Sequence, residues 1–248
     1  MSLSVKLGNF LYNHAFSVYK RVYAVFKKRQ DAFEIELLKK QIKPGDVVLD
    51  IGANIGFYAS ILSELAGQKG EVHCFEPDPK NFARLKEACG GMKNIFLNNK
   101  AVGSETGILT FYTSDELNVD HRTYKPESYE SKFEVPAVSM DDYLAGKKVD
   151  FIKMDIQGFE IAAIKGMNAT LKNNSPVKLL TEFWPYGLKQ AGCSATEFYQ
   201  MLLHLDFKCY LLEKNSLSPL SREKAAELEK LENDKRFYFN IFATRSDV

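Results

Sequence analysis

Cysteine is scarce in this chain of 248 residues: Cys74, Cys89, Cys193 and Cys209 stand far apart, with no C-x-x-C pair among them. That spacing excludes a disulfide framework and a zinc site built on cysteine pairs, and it fits reduced structural thiols in a reducing, cytoplasmic setting. No apolar run is long enough to cross a bilayer, and the apolar residues near the N-terminus are broken by polar ones, unlike a secretory leader. Net charge is nearly absent at +1, so no global footprint for nucleic acid exists. Histidine is limited to four residues. His73 sits in an apolar run and reads as core, and His14 and His204 fall on helical patterns. His121 alone lies in a long polar stretch.

What is present is an ordinary globular composition, 45% hydrophobic and 26% charged, ample for one large core. From Asp46 to Trp184 strand and helix patterns alternate, which argues a mostly parallel sheet covered on both faces. The strands read as VVLDI, EVHCF, IFLNNKAV, then FIKMDI and KLLTEF, with ILTFYTS as an added strand pairing with the third. FEVPAVSM and a short helix DDYL precede FIKMDI. A helix over 196–205, the pair FKCYLLEK and FYFNIFATR, and a charged helix over 222–235 complete the chain.

The segment DVVLDIGANIGFYAS carries the strongest functional signal. It is a buried strand, a glycine turn and a helix, so the helix N–H groups and the positive dipole end face whatever occupies the turn. Gly52 and Gly56 permit the sharp bend, and Asp50 adds a negative group beside it. Glu76, at the end of the next strand, is placed to accept two ribose hydroxyls. A dinucleotide site wants G-x-G-x-x-G, whereas Asn54 and Phe57 stand at its second and third glycine positions. S-adenosylmethionine has no pyrophosphate. Its ammonium suits Asp50 and its carboxylate suits the turn N–H groups, so this cofactor is expected over a nicotinamide.

Four ordered blocks, D-x-G-A-N-x-G (Asp50 to Gly56), F-E-P (Phe75 to Pro77), N-x-A-V-G (Asn99 to Gly103) and K-M-D-I-Q-G-F-E (Lys153 to Glu160), resemble the FkbM-type methyltransferases. The resemblance implies a Rossmann-like class I methyltransferase fold, α/β, with a mostly parallel seven-stranded sheet, helices on both faces and an antiparallel C-terminal strand. It implies transfer to a hydroxyl of a small molecule or saccharide. Gln157 departs from the family pattern, which has Glu there. A nicotinamide oxidoreductase and a non-catalytic cofactor-binding module remain as rival readings.

The expected cofactor residues are Asp50, Gly52, Ala53, Asn54, Gly56, Phe57, Glu76, Pro77, Asn99, Lys100, Ala101 and Asp155, with Ala101 and Val102 against adenine. For a base to take the acceptor proton, Asp155 is the first choice, with Glu182 and His121 behind it. The two carboxylates lack a third ligand, so no obligatory metal is expected. Around His121, Arg122, Tyr124, Lys125 and Tyr129 form either an acceptor-binding lid or a surface loop, and Trp184 either stacks on a sugar or packs. The catalytic domain is taken as 44–248, after a helical extension over 1–43. The first thirty residues hold Lys6, Lys20, Arg21, Lys27, Lys28 and Arg29 but no Asp or Glu, with apolar residues at helical spacing. Such a helix is read as a cover packed over the active site or as a surface resting on an anionic membrane or acidic partner. Self-association through it, or through the C-terminal edge, stays open.

Overall fold

The computed structural model describes residues 3–113, 121–122 and 131–246, with side chains described from 8 to 111 and from 132 to 246. Helices α1 (Leu3–His14), α2 (Phe16–Gln30) and α3 (Ala32–Gln41) lead into strand β1 (Val47–Ile51), helix α4 (Phe57–Ala66), strand β2 (Glu71–Phe75), helix α5 (Pro79–Cys89) and strand β3 (Ile95–Asn98). A run of strands follows: β4 (Ala101–Val102), β5 (Gly107–Thr113), β6 (His121–Arg122) and β7 (Ser131–Val138). Helix α6 (Met140–Leu144) precedes β8 (Phe151–Met154), α7 (Glu160–Lys165), α8 (Asn168–Asn173), β9 (Lys178–Phe183), α9 (Pro185–Gln190) and α10 (Ala195–His204). The chain ends in β10 (Lys208–Leu212), β11 (Leu217–Pro219), α11 (Arg222–Glu229) and β12 (Phe239–Thr244).

The larger sheet runs β11-β10-β12-β9-β8-β1-β2-β3. Its five strands from β9 to β3 are parallel. The C-terminal strand β12 is antiparallel and wedged between β9 and β10, as the class I arrangement requires, and short β11 adds an eighth strand at the edge. From β1 the order proceeds one way through β2 and β3 and the other way through β8 and β9, so the switch point lies between β1 and β8. Alternation along each strand feeds two cores. Leu49, Ile51, Ile152 and Met154 pack on one face, while Val48, Val72, Phe151 and Leu180 meet α4 on the other.

Three expectations need correcting. IFLNNKAV is not one strand: it divides into β3 in the large sheet and β4 in a second sheet, ordered β4-β7-β5-β6. The break comes at two asparagines whose amides bond main chain rather than extend it. Asn98 Nδ2 donates to the carbonyls of Cys74 and Phe96, and Asn99 Nδ2 to those of Glu76 and Pro77. Accordingly β5 pairs with β7 and β6, from Gly107 opposite Ala137 to Thr113 opposite Ser131, and not with the third strand. The charged segment also ends early, at Glu229, with Lys230 to Asp234 in successive turns.

A candidate active site at the sheet switch point

At the end of β1 the chain enters positive φ three times, at Gly52 (86°), Asn54 (49°) and Gly56 (87°). Gly52 is dictated by contact as well as by conformation, because a Cβ there would lie 1.9 Å from the Asp155 carbonyl oxygen. The main chains after β1 and β8 thus nearly touch at the switch point, where no side chain fits. The turn is pinned from below: the N–H groups of Gly52 and Ala53 both donate to Phe75 O at 3.0 Å. Gly56 caps α4 without a side-chain bond, leaving first-turn N–H groups of that helix for a ligand.

Glu76 is tied into the same turn. Its Oε2 accepts from Asn54 N at 2.8 Å and its Oε1 from Asp78 N at 2.9 Å. Burial raises its pKa to about 8, against those two bonds. Asp78 in turn caps α5 by accepting from Asn81 N. Pro77 lies in the link between them, held with Glu76 by the Asn99 amide.

Asp50 is fully enclosed, and neither carboxylate oxygen has a hydrogen-bond partner within the described residues; the same is true of Asn54 Oδ1. Burial pushes Asp50 up to about 6, against the pull of nearby Lys153. An unpartnered buried carboxylate beside a helix N-terminus is costly unless a cation completes it. The orphaned Asp50, the bent turn and the two-acceptor Glu76 fit the ammonium, carboxylate and ribose of S-adenosylmethionine.

Beyond β8 and β9 the strand-end carboxylates converge as expected, through a residue whose role was not foreseen. Gln157, held at φ 56°, donates from Nε2 to Asp155 Oδ1 at 3.1 Å and to Glu182 Oε2 at 3.3 Å. An amide donor answers two acceptors at once, which a glutamate at this position cannot do when ionised. Burial, then Asp155 and Glu160, drives the Glu182 pKa well above the usual carboxylate range. Glu160 lies just behind, pushed to about 7 by burial. Lys153, in the middle of β8 and register partner of Asp50, supplies the opposing charge. Burial works against its ammonium, but Asp155, Glu34 and Asp50 outweigh it and raise the pKa. Its Nζ sits 4.0 Å from the centre of the Tyr58 ring. Among the described residues no three His, Cys, Asp or Glu side chains group as metal ligands.

The N-terminal helices form the remaining wall. Lys27, Asp31 and Glu34 face Lys153, Asp155 and Glu182 across one cleft. Tyr58 Oη donates to Asp31 at 2.6 Å, and Asn240 Nδ2 donates to Glu34 Oε2 at 2.8 Å. Further along, Tyr12 and Phe16 bury Ile55 of the glycine turn, and Tyr23 meets Phe57 edge-on at 6.1 Å. The cover reading of this segment therefore describes its inner face. Sequence reasoning missed Asp31, Glu34 and Lys153, although a lysine amid FIKM and a glutamate amid FEIELL are charges inside apolar patterns, and that was the available signal.

Other expected residues go elsewhere. Ala101 is packed in the small sheet with Phe111, Val135 and Ala137, and Val102 belongs to the main core. Lys100 is half-buried at the break between β3 and β4. Trp184 packs: its Nε1 donates to Lys235 O, and a Cβ on Gly187 would strike its ring at 2.1 Å. His73 is held by Tyr143 and Glu71 within its strand. His121 pairs through its backbone with Thr113 in β6; its side chain, that of Arg122, and Tyr124, Lys125 and Tyr129 lie outside what is described.

A doubly wound sheet with a glycine turn and an acidic second strand end at its switch point defines the class I methyltransferase architecture. Residues 50–210 match the methyltransferase FkbM domain, and the chain belongs to that family. It is 31% identical over 147 residues to the 2-O-methyltransferase NoeI of Sinorhizobium fredii, covering 52% of this chain and 60% of that protein. It is 29% identical over 144 residues to the hexuronic acid methyltransferase AglP of Haloferax volcanii, covering 56% and 57%. The chain thus spans under two thirds of the length of each. Among solved structures, a methyltransferase FkbM from Methylobacillus flagellatus aligns over 91% of this chain and 54% of its own, with a TM-score of 0.50 and 17% identity.

Proposed function

We propose that this protein transfers a methyl group from S-adenosylmethionine to a hydroxyl of a saccharide or other hydroxylated small molecule. The observation that carries the reading is the Asp155–Gln157–Glu182 array, set where Gly52 brings β1 and β8 together. The names of its relatives, a 2-O-methyltransferase and a hexuronic acid methyltransferase, support a sugar hydroxyl as acceptor.

Bound S-adenosylmethionine supplies an electrophilic methyl group on a positively charged sulfur. Asp50 would hold the ammonium, the α4 N-terminus the carboxylate, and Glu76 the ribose hydroxyls. The acceptor hydroxyl needs alignment and a place for its proton. Asp155 receives that proton. Gln157 holds its carboxylate in place by donating to it and to Glu182, whose charged form burial and the neighbouring Asp155 disfavour. Residues 1–43 act in this reading as an extension that walls the cleft of the catalytic domain, 44–248.

The test begins with calorimetric titration of S-adenosylhomocysteine, with NADH as control, followed by an acceptor screen using hydroxylated saccharides. Asp155→Asn should keep S-adenosylhomocysteine affinity within a few-fold and lower turnover by about 10² to 10⁴, the usual span for losing a positioned base. Binding of NADH in place of S-adenosylhomocysteine, or full turnover by Asp155→Asn, would sink the corresponding part of the proposal.

A further inference from the structure

Helix α2 has two apolar faces, and only one of them is used. Phe16, Tyr19 and Tyr23 turn toward the domain and join Tyr12, Ile55 and Phe57. On the opposite side Val18, Val22, Val25 and Phe26 are each more than half exposed, at 51, 58, 62 and 62%. At 3.6 residues per turn Val18, Val22, Val25 and Arg29 fall on one line, with Phe26 on one flank and Arg21 and Lys28 on the other. Phe10 of α1, also more than half exposed, adds to the same N-terminal segment. Half of the large exposed hydrophobic residues among those described therefore lie between positions 10 and 26. A surface helix ordinarily turns polar side chains outward. This one turns out valines and a phenylalanine.

Charge identifies the partner. The first thirty residues carry six basic side chains and no acidic one, while the rest of the chain carries 27 basic against 32 acidic. The segment that carries the apolar stripe thus has a formal charge of +6 on a protein whose remainder is −5, with Lys27, alone among the segment's described basic side chains, turned into the cleft to pair with Asp31. Cations along one flank and at the end of an exposed apolar strip match a bilayer surface, where the strip enters the acyl boundary and the cations meet anionic headgroups. No helix among the described residues is long and apolar enough to cross a membrane, and an amphipathic surface of this kind lies in the plane of the interface. We infer that the outer face of α2 docks on anionic lipid bilayers. Docking there leaves the glycine turn one helix away from the lipid, about 10 Å.

The experiment is vesicle flotation of the full chain with neutral phosphatidylcholine vesicles and with vesicles containing phosphatidylglycerol. Wild type should float with the anionic vesicles about tenfold more than with the neutral ones, and less as salt shortens the Debye length. Val22→Glu with Phe26→Glu should abolish flotation, and Arg21→Glu with Lys28→Glu should do so by charge alone. Both pairs point away from the cleft, so S-adenosylhomocysteine affinity and circular dichroism should match wild type and show that each variant is folded. Absence of flotation by wild type, equal flotation with both vesicle types, or unchanged flotation of the variants overturns the inference. A dimer in sedimentation equilibrium that the Val22 and Phe26 changes dissociate, without vesicle binding, would assign the face to a second copy of this chain and also overturn it.

Discussion

Gln157 is the residue at which chemistry and local conformation meet. Its left-handed backbone is strained for a side chain with a Cβ, and the strain is repaid by placing one amide between two carboxylates. Replacing it with glutamate sets three acidic groups together and removes the donor. Gln157→Glu should destabilise the protein by about 1 to 3 kcal/mol at neutral pH, as expected for buried acceptors left without a donor. For a chain of this size that lowers the melting midpoint by roughly 2–4 °C per kcal/mol, and the loss should shrink as the pH falls and the new carboxyl protonates. An unchanged midpoint at pH 8 would show that the amide bridge is not holding the array. Glu76 permits a second residue-level test. Glu76→Ala removes the charged acceptor proposed for the ribose and should weaken S-adenosylhomocysteine by about 10- to 100-fold, from roughly 1.5–3 kcal/mol for a hydrogen bond to a charged group. Calorimetry reads this directly, and equal affinity would move the ribose elsewhere.

At the scale of elements, the two N-terminal helices are held to the domain by few contacts of high value. Tyr12 bonds Asn81, Phe16 is enclosed with Ile55, and Arg84 lies over the Phe16 ring with its guanidinium carbon 4.3 Å from the ring centre. Truncating a buried phenylalanine costs about 3–5 kcal/mol. Much of the domain core lies in other clusters, so Phe16→Ala should release α1 and α2 locally rather than unfold the sheet. Limited trypsin digestion should then cut faster at the basic residues between Lys20 and Arg29, with the main melting transition little changed. A shift of that transition by the full cost would instead mean that the helices fold as one unit with the sheet.

For the whole molecule, five enclosed carboxyls, Glu34, Asp50, Glu76, Glu160 and Glu182, are all raised, chiefly by burial. A carboxyl whose folded pKa lies above its unfolded one contributes stability below the unfolded value, and that contribution is lost as pH rises through the folded value. The window runs from about 4, where unfolded carboxyls titrate, up to about 8 for Glu76. The ligand-free protein should therefore melt at a lower temperature at pH 8.5 than at pH 5.5, and Glu76→Gln should flatten the slope. A midpoint rising with pH across that window would contradict the placement of these groups. S-adenosylhomocysteine, by favouring ionised Asp50 and Glu76, should bind with release of protons near pH 7, visible as a buffer-dependent calorimetric enthalpy.

Much of this protein is legible from its one-dimensional pattern, because the responsible forces are local. The apolar run VVLDI, the glycines at positions needing positive φ, the acid ending EVHCF and the strand-end acids at 155 and 182 are each written within a few residues, and they define the parallel sheet and the glycine turn of the candidate site. Tertiary structure alone decided what depends on partners distant in sequence. Whether IFLNNKAV continued as one strand hinged on where two asparagine amides found acceptors, some twenty residues back at Cys74, Glu76 and Pro77. Which sheet Ala101 joined hinged on the pairing of its strand with β7, some thirty-six residues on. That Glu34 and Lys153 belong to one charged cleft, although 119 positions apart, follows from α3 folding back over β8 and β12. Local sequence sets backbone preference and strand-end chemistry, but a buried charge is tolerable only beside its partner, and the fold alone brings that partner near.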